Sequence, residues 1–184
     1  MDIIEKTIYY IEYDEATEEG IEKSFSYKAK LDMKCIKLIQ RQLKENGIDV
    51  KIHEIFKEIS NLNMEVAAII VIQSIKRCSD VTEEEIMKVM EFQYAIELIN
   101  KLIEVSMPLK YDSSTLNSDS EFEDDEDELE DRDWDFDYMT YLWYSVLKRS
   151  DDFYNITPKY YFKQIELHKK FNGSNENEEK IEYV

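Results

Sequence analysis

The 184-residue sequence holds only 3 glycines, 2 prolines, 2 cysteines and 2 histidines. So few turn-forming residues argue against a many-turned β protein and favour long helices. The shortage of glycine also goes with the absence of a G-x-G-x-x-G run or a phosphate-cradling loop, and neither G-x-S-x-G nor HExxH occurs. His53 and His168 fall in different helical stretches, and neither has a cysteine or carboxylate at the spacing of a closed zinc site. Cys35 and Cys78 stand singly in apolar-periodic stretches, which reads as buried free thiols in a reducing cytosol. Carboxylates are abundant, but acid–base chemistry needs a cleft that drives two pKa values apart. The expectation is a chain with no catalytic residue, no metal and no cofactor.

No targeting signal is expected at the start, since Met1-Asp2-Ile3-Ile4-Glu5 lacks a basic-plus-apolar pattern. The longest apolar run, residues 66–72, falls far short of the roughly 20 residues that span a bilayer. A soluble, cytoplasmic protein is expected. Basic clusters are scarce too. The net charge is −19, and 14 acidic residues against one base lie between Asp112 and Asp137, so those 26 residues hold −13 and the other 158 hold −6. Without a basic stripe to neutralise phosphates, direct binding to nucleic acid is disfavoured, as is an anionic membrane surface. The alternating run from Asp131 to Asp137 invites a calcium reading. A calcium loop starting at Asp133 would need glycine and glutamate where Tyr138 and Tyr144 stand, so the motif fails.

What is present reads first as a hairpin. Residues 6–13 are rich in β-branched and aromatic types, and residues 22–29 put Phe25, Tyr27 and Ala29 on one face. From Leu31 the apolar period becomes helical. Met33, Ile36, Ile39, Gln40 and Leu43 form one helix, closed by Asn46-Gly47. A short helix carries Ile52, Ile55, Phe56 and Ile59. A third helix, capped by Asn63, has an apolar centre at residues 66–72 and should be the most buried element. Thr82-Glu-Glu-Glu85 is a capping box, and Val81 can staple onto Ile86. One long helix should follow, through Ile86, Val89, Met90, Gln93, Ile96, Ile99, Leu102 and Ile103, stopping before Pro108.

The division expected is therefore a hairpin plus four-helix domain over residues 1–107 and an acidic disordered linker over 108–133. An aromatic helical hairpin over 134–173 and a flexible tail over 174–184 complete a mainly α protein. In the helical hairpin, one helix runs from Trp134 toward Arg149. A second starts at Thr157-Pro158 and carries Tyr161, Phe162, Ile165 and Phe171 mostly on one side. Its rings have two readings: the core of a small hairpin, or contact surface. About 40 residues make a small independent core, so this part must dock on the first domain or on another protein. Trp134, Tyr138, Leu142, Trp143, Phe153 and Phe162 are the partner-binding candidates, because large aromatic side chains carry interface energy.

Two stretches also carry a family resemblance. Phe25-Ser-Tyr-Lys-Ala-Lys-Leu31, leading from a short β opening into helices with Thr82-Glu-Glu-Glu-Ile86 starting a later one, is the first. The second is Trp143-Tyr-Ser-Val-Leu followed by Asp152-Phe-Tyr-Asn-Ile-Thr-Pro158 and an aromatic helix. The chain resembles the tail assembly chaperones of long-tailed bacteriophages. The resemblance implies a non-enzymatic protein of the host-cell cytoplasm that coats and solubilises the tape measure protein and helps recruit tail tube subunits. It implies that the aromatic C-terminal part holds a partner's helices while the linker tethers it. The alternative is an acidic inhibitor that imitates nucleic acid and binds a host protein. That reading needs carboxylates fixed on a rigid face, whereas here they concentrate where least order is expected. Self-association of the chain is left open.

Overall fold

In the computed structural model of the chain, residues 3–13, 19–57, 64–108 and 133–172 are described. Strands β1 (Ile3–Tyr13) and β2 (Gly20–Lys30) pair antiparallel, in register from Ile3 opposite Lys30 to Tyr13 opposite Gly20. The ribbon is longer at both ends than the alternation alone suggested. Its inner face buries Ile8, Tyr27 and Ala29, with Ile4 and Phe25 packed beside them. Its outer face carries the cross-strand pairs Thr7–Ser26, with hydroxyls 2.9 Å apart, and Glu5–Lys28 at 2.7 Å. Two strands alone are marginal in water, so the inner face needs the helices that follow.

Helix α1 (Met33–Glu45) starts at Asp32, whose carboxylate accepts the Cys35 amide at 2.9 Å, and buries Met33, Cys35, Ile36, Ile39 and Leu43. Gly47, at φ 70°, closes it: its N–H reaches the Lys44 carbonyl and the Ile48 N–H reaches that of Leu43. These are the two bonds of a Schellman cap, and they satisfy carbonyls the helix would otherwise leave open. The short α2 (Ile52–Lys57) follows, with Ile52 and Ile55 buried. Ile59 and Asn63 lie outside the described residues. Helix α3 (Met64–Lys76) is the central element, as its all-round apolar sequence implies. Residues 66, 67 and 69–72 are buried, and the helix lies against α1, β2 and α5 (Phe92–Ser106).

One long helix after Thr82 was expected, and two are found. Helix α4 (Glu83–Val89) opens with the full capping box, then Met90 and Glu91 turn extended before α5 begins. Neither Pro nor Gly marks the break. The burial pattern supplies the reason. Helix α4 buries Ile86 and Val89, whereas α5 buries Ala95, Leu98, Ile99, Leu102 and Ser106. At roughly 100° per residue these two sets would sit on opposite faces of one straight helix. The break turns both inward and leaves Gln93 exposed.

The C-terminal part is not a separate hairpin. Helix α6 (Phe136–Tyr141) runs into a π-helical turn at Leu142–Val146, and Phe153–Asn155 forms a 3₁₀ turn before helix α7 (Pro158–Asn172). Trp134, Phe136, Met139, Trp143, Phe153 and Tyr161 belong to the same core as α1, α3 and α5. Main-chain bonds stitch the parts together: the Met33 N–H donates to the Ile156 carbonyl at 2.9 Å. The Ile52 N–H donates to the Asp133 carboxylate and the Gln40 amide donates to the Trp134 carbonyl, both at 2.9 Å. Of the two docking options open to the sequence, this is docking on the first domain. The expected linker, apart from residues 108 and 133, and the expected tail lie outside the described residues.

Candidate functional site

Three of the six aromatic and apolar partner candidates are core. Trp134 is 4% exposed, and Trp143 and Phe153 are fully enclosed. Trp143 sits with its ring centroid 6.5 Å from Phe153 and 6.0 Å from both Tyr160 and Tyr161, and its indole N–H donates to the Asp151 carbonyl at 2.8 Å. That bond satisfies the one polar atom of the ring, so the whole side chain can be buried. Phe162 and Leu142 are half-buried, Phe162 standing edge-on to Trp134 at 5.8 Å. Only Tyr138 is open to solvent, with Tyr141 on the same short helix. Helix α7 buries Tyr161, half-buries Phe162 and leaves Phe171, in its last turn, exposed. Burial pushes the Tyr161 hydroxyl well above the usual phenol range, helped by Tyr138.

Another stripe of exposed apolar side chains lies on the far half of the hairpin. Tyr9, Ile11 and Tyr13 are 80%, 56% and 71% exposed and, at alternate positions, share the outer face of β1. They stand opposite Ser24, Glu22 and Gly20. A Cβ on Gly20 would meet Ile11 Cγ2 at 2.8 Å, so the glycine is what lets Ile11 and Tyr13 lie over β2. The inner side of this half is pinned to the body by charge. Glu12 pairs with both Lys23 and Lys88 of α4, and these two ammonium groups hold its carboxyl down at about 2, from an ordinary 4.5.

The ribbon's two edges differ. The Lys28 N–H donates to the Ser79 hydroxyl at 3.0 Å and the Lys28 carbonyl accepts from that hydroxyl at 3.1 Å, so Ser79 covers β2 at this point. Because Lys28 turns its backbone away from β1, its partner Glu5 and the alternate residues Thr7, Tyr9, Ile11 and Tyr13 turn theirs to the opposite edge. No hydrogen bond reaches that edge among the described residues. The exposed ring stripe and the open main-chain edge therefore occupy the same residues. The sequence signal was there: positions 8–11 are apolar without alternation, so both faces of β1 carry apolar side chains.

Among the described residues no three His, Cys, Asp or Glu side chains are grouped to hold a metal ion, and no helix is long and apolar enough to cross a membrane. The Cys35 and Cys78 thiols are both pushed up by burial, which holds them in the weakly nucleophilic protonated form. Cys78 is only half-buried and lines a cleft of about 480 Å³ with Lys6, Tyr27 and Ser79. In that cleft burial, with a contribution from Glu97, pushes the Tyr27 hydroxyl up to about 12. No family model, curated protein or solved structure matches the chain.

Proposed function

We propose that the protein is a non-enzymatic chaperone that covers apolar surface on a protein client, and that it does so with the outer face and open edge of β1. The observation that carries this reading is the Tyr9–Ile11–Tyr13 stripe. Three large side chains offer on the order of a few hundred Å², the scale at which an exposed apolar patch marks an interaction surface. An open strand edge beside them adds main-chain hydrogen bonding to the contact. Following the phage tail assembly resemblance, the client is the tape measure protein, with tail tube subunits recruited to the complex in the host-cell cytoplasm. The charge of −19 gives such a complex the like-charge repulsion that opposes aggregation. The acidic-mimic alternative gains no support from the described residues, which hold 22 acidic and 20 basic side chains and so present a nearly neutral body.

Co-expression with an aggregation-prone helical segment of a tape measure protein tests the proposal. The chaperone should keep the segment in the soluble fraction, and the triple variant Y9T/I11T/Y13T should lose it to the pellet. Threonine keeps the β propensity of the strand while removing its apolar reach. Equal recovery with the variant would reject the hairpin as the client site.

A further inference from the structure

A second surface, independent of the hairpin, has the opposite character. Between α1 and the 3₁₀ turn lies a cleft of about 500 Å³ lined by Lys34, Lys37, Leu38, Arg41, Arg77 and Tyr154. Four cations around one cleft stand out in a chain of net charge −19. Arg77 is already committed, to the Asp32 carboxylate at 2.9 Å and the Asn155 side chain at 2.5 Å. Lys37 forms the wall, with its ammonium 3.1 Å from the Tyr154 hydroxyl and 5.2 Å from that ring's centre. Arg41 holds an exposed pairing with Glu45, which is worth little, and among the described residues no partner of Lys34 is found. Asp152, the carboxylate among the lining residues, is engaged locally: its oxygens accept from the Tyr154 N–H at 3.0 Å and the Asn155 amide at 2.7 Å, while the exposed Asp137 stands 3.9 Å from the Lys37 ammonium.

From this geometry we infer that the cleft binds an acidic peptide segment of a partner protein, one that carries an apolar side chain among its carboxylates. Lys34 and Arg41 stand two turns apart on α1, roughly 10 Å along the axis, so they match charges spaced along a chain and not one compact phosphate. Leu38 lies between them and Tyr154 faces it, giving an apolar floor for one side chain. Nucleic acid fits less well. Its charge density needs a longer basic track than two uncommitted cations supply, and the rest of the chain repels it.

Fluorescence anisotropy on the full-length protein tests this, with a short labelled Asp/Glu-rich peptide bearing one phenylalanine as the probe. Binding should weaken as salt rises and fall by about tenfold or more in K34E/R41E, whose exposed positions leave the core untouched. The same peptide with Asn and Gln for its acids, and inorganic phosphate as competitor, should show no affinity. Undiminished binding by K34E/R41E, or no binding by the wild type at low salt, would overturn the inference. Tighter binding of a single-stranded oligonucleotide under the same conditions would also overturn it. So would affinity that emerges only when the acids of residues 119–131 are replaced by their amides, because the chain's own run would then be the occupant.

Discussion

Asp32 and Arg77 face each other in a two-pronged ion pair, with Nε 3.1 Å from Oδ1 and Nη2 2.9 Å from Oδ2. The carboxylate is fully buried, and Lys30 approaches its second oxygen at 3.2 Å. One residue thus caps α1, ends the hairpin at Lys30, ties down the close of α3 and, through Arg77 and Asn155, anchors the C-terminal turn. Planar two-point pairing is the geometry in which arginine and carboxylate interact best.

Removing one member of a buried pair leaves the other charge stranded, which costs about 3–5 kcal/mol. D32A should therefore lose about that much stability in urea unfolding. A loss below about 1 kcal/mol would mean that the pair is solvated and the junction is not a fastener.

Both tryptophans, Trp134 and Trp143, belong to the C-terminal part, so their fluorescence reports on it, while far-UV circular dichroism reports mainly on helices throughout. One shared core requires the two signals to change at the same urea concentration. W143A should shift both together, by about 3–5 kcal/mol. Two separated transitions would restore an independent aromatic domain.

Glu12 gives the hairpin an acid limit. Its carboxyl is held at about 2 by Lys23 and Lys88, below its ordinary 4.5. A depressed carboxyl contributes stability that is fully present above 4.5 and drains away as the pH falls through about 2. An NMR titration should place the Glu12 midpoint near 2, and E12Q should loosen protection of the Tyr10 and Glu12 amides, which face β2, at neutral pH. An ordinary midpoint would mean that the far half of the hairpin is not pinned to α4.

Local signals carried much of this fold. The Asn46-Gly47 stop, the Thr82 capping box and the Thr157-Pro158 start are short-range chemistry, and each stands where the sequence put it. The burial of α3 followed from residues that are apolar all round. The break at Met90-Glu91 was not legible, because it arises from which faces meet the core and not from any breaker residue. The burial of Trp134, Trp143 and Phe153 was hidden for a related reason. Composition marks Trp143 and Phe153 as large and apolar, but only the docking of residues 134–172 onto α1 decides that they face inward. The rings left outside are those of β1, where apolar residues on both faces exceed what one layer of helices covers.

Amide hydrogen exchange on the client complex tests the central claim most directly. The outward N–H groups of Tyr9, Ile11 and Tyr13 have no partner among the described residues, so they should exchange quickly alone and slow markedly once the client is bound. Unchanged exchange across residues 9–13 in the complex, with protection gained instead around Tyr138 and Tyr141, would contradict the account and move the client to α6.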